Sequence, residues 1–177
     1  MSSNLILMRE PHFKPDEVDM IVEGWARVRG DFDAQPLAVF SRLLRLNRYV
    51  DRMRKRVFAA HNIESWEFEM LTALRRQGAP FRLTAGKLMR QTLVSSGTVT
   101  NRIDRMVEHG LVKRLRDPED KRIVHVQATP KGIEVVDGAM SDLLSAQQMR
   151  MAGMSEEEKR ELANLLRVLL ANFEYGG

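Results

Sequence analysis

Residues 83–132 constrain the fold more than any other part of this 177-residue chain. Two short helical patterns, separated by a tight turn, lead into two β-branched segments around a charged turn. Thr84 stands where an N-cap would precede the first helix, 85 to about 91. Ser95 or Ser96 does the same for the second, which stops at His109-Gly110. A hydroxyl there satisfies free N–H groups, and glycine adopts the left-handed conformation that ends a helix. Residues 111–116 and 123–128 flank Asp117-Pro118-Glu119-Asp120, a hairpin signature. Helix, turn, helix and hairpin in this order predict a winged helix-turn-helix.

On a wheel of about 100° per residue, Val99, Ile103, Met106 and Val107 fall within a sector of roughly 100°, the width of a buried stripe. Thr98, Asn101 and Arg105 point away from it, with Gly97 nearby, so their polar groups can reach base edges or phosphates. Ser95 and Ser96 open this helix, where free N–H groups favour a phosphate. Thr100 completes the candidate set. Residues 113–122 hold five cations (Lys113, Arg114, Arg116, Lys121, Arg122) against three acids. Basic side chains on a hairpin after such a helix suit a DNA backbone or minor-groove contact. Arg114, Arg116, Lys121 and Arg122 are therefore candidate DNA contacts, and Asp120 a wing-stabilising partner for Arg122. A solvated charged turn remains the alternative.

The remaining pattern is helical. Val18, Ile21, Val22, Trp25 and Val28 recur at helical spacing after Pro15-Asp16-Glu17, and a long helix follows from about 36 to 60 with an arginine-rich outer face. The sequence leaves open whether that face touches DNA or is solvated. Ser65 is expected to cap a helix through Gln77, Thr129 one that begins with Pro130, and Ser155-Glu156-Glu157-Glu158 is a capping box. Residues 133–154 and 162–173 carry more large apolar side chains than one small core needs, which marks a partner surface. The expected fold class is thus mainly α with a small β-wing, the winged helix-turn-helix being flanked by N- and C-terminal dimerisation helices. The expected divisions are a flexible arm (1–14), N-terminal helices (15–62), the DNA-binding domain (63–129) and C-terminal dimerisation helices (130–177).

Composition narrows function further. The chain is 44% hydrophobic and 29% charged and carries no cysteine, which closes disulfides, thiolate metal sites and thiol redox sensing and agrees with a reducing cytoplasm. No apolar run approaches the ~18 residues of a membrane helix, and the start lacks the basic region of a signal peptide. The four histidines (His12, His61, His109, His125) include no i, i+4 pair, and no phosphate-cradling glycine loop or nucleophile elbow occurs. An enzyme is not expected, nor a cofactor or metal.

The phrases Ser95–Arg102, Arg105-Met106-Val107-Glu108-His109-Gly110-Leu111-Val112, Asp117-Pro118-Glu119-Asp120-Lys121-Arg122 and Ala128-Thr129-Pro130-Lys131-Gly132 resemble the MarR family of bacterial transcriptional regulators. Trp25 in an extra N-terminal helix, Gln35-Pro36-Leu37-Ala38-Val39, Trp66-Glu67-Phe68-Glu69 and Ser96–Arg102 are similar to its PecS-type, urate-responsive subgroup. That resemblance implies a dimeric repressor, released from double-stranded DNA by urate or another planar anionic aromatic effector such as a phenolic acid. It implies ligand contacts from Trp25, Glu69 and Arg102, with Glu69 standing where those relatives usually carry Asp. On the wheel Arg102 lies roughly 40° from Met106, at the rim of the buried face, where a guanidinium fork can reach an anion inward. His61 is a further pocket candidate. Structural roles for Trp25, Glu69 and Arg102, in a DNA-binding protein that answers to no ligand, are the competing expectation.

Overall fold

The computed structural model describes residues 14–93, 95–120 and 122–176, so the expected arm, apart from Lys14, and the wing candidate Lys121 lie outside the described residues. The chain divides into two compact units, residues 1–52 and 53–177.

In the first unit, α1 (Glu17–Val28) starts at Asp16, whose carboxylate accepts the N–H groups of Val18 and Asp19 at 2.7 and 3.1 Å. Asp19 closes the capping box by accepting the Asp16 N–H at 2.8 Å. Pro15 therefore precedes the cap. The long helix α2 (Gln35–Ala60) begins here and runs on into the second unit. Part of its arginine face serves α1: Arg42 pairs with Asp16 and Asp19 at 3.0 and 2.7 Å, and Arg45 pairs with Glu17.

The second unit contains α3 (Ser65–Arg75), β1 (Arg82–Thr84), α4 (Ala85–Thr92), α5 (Ser96–Glu108), β2 (Val112–Arg116), β3 (Val124–Ala128), α6 (Pro130–Arg150) and α7 (Glu156–Glu174). Its core gathers Phe58, Met70, Leu71, Leu74, Leu88, Ile103, Met106, Val126 and Val136, all fully buried or nearly so. Phe58 stacks on Phe68 with ring centroids 4.3 Å apart. The strands form an antiparallel sheet in the order β1-β3-β2, with Leu83 opposite Val126 and Arg114 opposite Val126 on the other side. Two strands were expected from the sequence. The third, β1, is three residues long and pairs with β3 between α3 and α4.

A second difference lies at the start of α3. Glu64, not Ser65, occupies the extended N-cap position, because Glu67 Oε2 accepts the Glu64 N–H at 2.8 Å and Ser65 is already helical. The other caps fall on the expected residues. Thr84, Ser95, Thr129 and Ser155 each accept an N–H of the first turn.

The end of α5 is fixed tightly. Gly110 adopts φ +70°, the Leu111 N–H donates to Met106 O, and the Gly110 N–H donates to Val107 O, both at 2.9 Å. This double closure aims β2 away from the helix axis. Thr129 then ties the return of the wing to the same point. Its hydroxyl lies 2.8 and 3.1 Å from the Gly110 and Leu111 carbonyls, and the Gly132 N–H donates to it at 3.0 Å. A Cβ on Gly132 would stand 2.1 Å from the Leu111 carbonyl oxygen, so α6 reaches the wing only because glycine is there.

Candidate nucleic-acid interface

Helix α5 turns Val99, Ile103 and Met106 into the core and leaves Ser96, Gly97, Thr98, Thr100 and Asn101 exposed. The hydroxyls at its start are largely committed to the helix itself. Ser95 Oγ accepts the Thr98 N–H at 3.4 Å and lies 2.9 Å from Thr98 Oγ1, while the Thr100 hydroxyl donates to Ser96 O at 3.1 Å. The Asn101 carboxamide has no hydrogen-bond partner among the described residues.

Two arginines expected to face outward instead tie neighbouring elements together. Arg114 on β2 pairs with Asp104 of α5 and reaches the Thr100 carbonyl at 3.4 Å, joining wing to helix. Arg105 pairs with Glu64 at 2.7 Å, and its guanidinium carbon lies 5.0 Å from the centroid of the Trp66 ring. For Arg105 the wheel gives the direction from the α5 core but says nothing of what α3 places beside it, and Arg114, on β2, lies outside that wheel. Both remain about half exposed on their side chains or somewhat less, so an ionic exchange with phosphate is physically open to them.

Around Arg105 the structure assembles a cluster that sequence reasoning did not single out. The Trp66 indole N–H donates to Glu64 Oε2 at 2.9 Å, and with Arg105 it holds the Glu64 carboxyl below its ordinary range. One helical turn on from Arg105, His109 Nδ1 lies 2.7 Å from Glu67 Oε1. Glu67 is 1% exposed, the one buried charged side chain among the described residues. A signal existed. Glu67, Leu71 and Leu74 share one helical face, and an acid on a core stripe demands a partner. Glu64 and Glu67 thus grip α5 at Arg105 and His109.

Each of the expected ligand residues has its own neighbours within its unit. The Arg102 guanidinium is half-buried, 5.3 Å from the Trp66 centroid, and has no carboxylate partner among the described residues. Glu69 pairs with Arg54 at 3.3 Å rather than with Arg102, because Arg54 rises from α2 beside it. In the first unit, Trp25 is 46% exposed and stacks on Phe32 at 6.1 Å, with Arg29 over the other ring at 3.8 Å. His61 bonds Asp142 at 2.8 Å, and its ring lies 3.1 Å from where a Cβ on Gly138 would stand.

At the wing, Asp117 Oδ1 accepts the N–H groups of Glu119 and Asp120, and its other oxygen lies 2.8 Å from His125 Nε2. His125 and these N–H groups pull the Asp117 carboxyl down to about 2. Asp120 holds Arg122 through the backbone N–H at 2.9 Å and the guanidinium at 3.1 and 3.2 Å, yet the Arg122 side chain is 91% exposed. Arg116 is exposed with no partner among the described residues. The tip is thus internally braced while Arg116 and Arg122 face solvent.

The chain is similar in sequence and fold to known proteins. The MarR family model matches residues 63–124. The HTH-type transcriptional regulator PecS of Dickeya dadantii is 31% identical over 150 residues, covering 85% of this chain and 90% of that protein. A cysteine-to-serine mutant of MarR from E. coli, solved in complex with operator DNA, matches with a TM-score of 0.63 at 25% identity. The match covers 82% of this chain and 97% of that one. An organohalide-sensing regulator in its 2,4-dichlorophenol-bound form shares the fold, with a TM-score of 0.66 at 21% identity, over 92% of this chain and 88% of that one.

Proposed function

This chain belongs to the MarR family of transcriptional regulators, and from that premise we propose a ligand-responsive repressor that reads a pseudo-palindromic operator as a homodimer. The effector is a planar anionic aromatic molecule, urate or a phenolic acid. DNA binding rests on the family and on the exposed first turns of α5 flanked by the wing cations. Two copies are needed because one helix and one wing read few bases. A homodimer places two readers about one helical turn, ~34 Å, apart. Helix α7 supports this reading, since it contains no buried residue in the single chain although it carries Leu162, Leu165, Leu166 and Leu170.

The observation that carries the ligand response is Arg102. A guanidinium on the DNA-reading helix, laid on an indole and lacking a carboxylate, offers a fork to an anion and a flat neighbour to its ring. Trp66 supplies that ring; Trp25 remains the subgroup's implied contact. An anion drawn to Arg102 acts on α5 directly and competes with Glu64 for Arg105. Coupling of about 1–3 kcal/mol between this site and DNA suffices for a switch.

The test is a thermal-shift screen of the full chain against urate, xanthine, salicylate and related phenolic acids, repeated on Arg102→Ala, followed by DNA release with any hit. Stabilisation lost in Arg102→Ala supports the proposal. Equal stabilisation of both proteins removes Arg102 from the site, and no stabilisation by any compound favours a regulator without this effector class.

A further inference from the structure

We infer that Asn101 reads an adenine in the major groove of each operator half-site, with Gly97 keeping the helix surface beside it low enough for the base edge to approach; this rests on the DNA-binding reading above. On the α5 wheel, Asn101 lies about 165° around from the mean direction of buried Val99, Ile103 and Met106, so it points almost directly away from the core. The cations at this level already have neighbours within the chain, Arg102 and Arg105 at Trp66 and Glu64 and Arg114 at Asp104, and any of them that leaves its neighbour meets a phosphate or an anion as a charge. The Thr98 and Thr100 hydroxyls are engaged with Ser95 and Ser96 O. Ser96 keeps its hydroxyl unengaged among the described residues but stands at the first helical position, beside N–H groups that suit a phosphate.

The Asn101 carboxamide is different in kind. It offers a donor and an acceptor in one plane, both unspent among the described residues. Adenine presents the complement on its major-groove edge, N7 to accept and the N6 amino group to donate, and no other base presents that pair in that order. Gly97 precedes Asn101 by one helical turn and shares its face. A Cβ built there meets nothing within 4 Å, so packing inside the chain does not demand glycine at this position. The open space there leaves room for a base pair to lie close to the helix backbone.

The experiment starts with the full chain and a randomised double-stranded DNA pool. Wild type is expected to enrich a two-fold symmetric motif with an invariant adenine in each half. Replacing that adenine by 7-deaza-2′-deoxyadenosine removes only the N7 acceptor, and is expected to weaken wild-type binding by about 5- to 150-fold. Asn101→Ala, with its fold checked by circular dichroism, is expected to bind both DNAs alike and to lose the adenine preference. A wild type indifferent to the deaza base at every conserved adenine, or an Asn101→Ala protein as sensitive as wild type, overturns the inference while leaving DNA binding intact. A pool from which wild type enriches nothing overturns the DNA-binding reading and this inference with it.

Discussion

Two glycines in the DNA-reading half of the molecule illustrate opposite reasons for having no side chain. At Gly132 the reason is internal, since a methyl group would collide with the Leu111 carbonyl that Thr129 also engages. Gly132→Ala is expected to destabilise the fold by about 1–3 kcal/mol, through a backbone shift that loosens the seam between α6 and the wing, measurable by urea unfolding. At Gly97 the Cβ has open space, and alanine is the better helix former. Gly97→Ala is expected to stabilise the chain by roughly 0.5–1 kcal/mol in the same assay while weakening operator binding. A variant that binds as tightly as wild type would show that nothing outside the chain approaches that position. Asp117 sets a third residue-level expectation. Its carboxyl is depressed in the folded wing, so its contribution is fully present above its ordinary value near 4 and is lost as pH falls through about 2. Asp117→Asn is expected to reduce stability at neutral pH and to flatten the acid limb of the unfolding profile between about pH 4 and 2.

Elements in this protein are joined by polar side-chain pairs of very unequal worth, and the grip of α3 on α5 contains one of each kind. Glu64 and Arg105 are both more than half exposed, and pairs of that sort contribute under about 1 kcal/mol. Glu67 is buried against His109, so removing the histidine strands an acceptor away from water at a cost of about 1–3 kcal/mol. Double-mutant cycles should therefore return a larger coupling for Glu67→Gln with His109→Ala than for Glu64→Gln with Arg105→Ala; the reverse order would assign the grip to Glu64. The same scale shows what the sequence could disclose. Helix boundaries were legible at Thr84, Thr129 and Ser155, and within one residue at Ser95, where a hydroxyl cap coincided with the onset of a 3.6-residue stripe, but not at Ser65, whose place Glu64 takes. Strand β1 was not, because three residues cannot express a period of two and its pairing with β3 is a long-range event. The directions of Arg102 and Arg105 followed from the wheel, but their partners Trp66 and Glu64 did not, nor did the pairing of Arg114 on β2 with Asp104. A wheel describes one helix, and which neighbour meets its rim is decided by tertiary packing.

At the level of the whole molecule, the apolar surface left on α7 is the feature that a single chain does not explain. Leu165, Val168 and Leu170 are 61, 64 and 54% exposed, on a helix whose capping box and acidic first turn make it locally well formed. A helix that is stable in outline yet fully buries none of its side chains in the single chain takes much of its tertiary stability from something else. Burying such side chains fully contributes about 1.5–3 kcal/mol each, enough in combination to hold two copies together. If that partner is a second copy, folding and association are linked, and the unfolding temperature must rise with protein concentration. Leu165→Glu places a charge where that contact would form. It is expected to leave helical content largely unchanged, to shift the sedimenting species from dimer to monomer, and to abolish tight operator binding, because one helix and wing no longer hold their twin in register with the second half-site. A Leu165→Glu protein that remains dimeric and binds the operator as wild type does would move the interface off this face of α7.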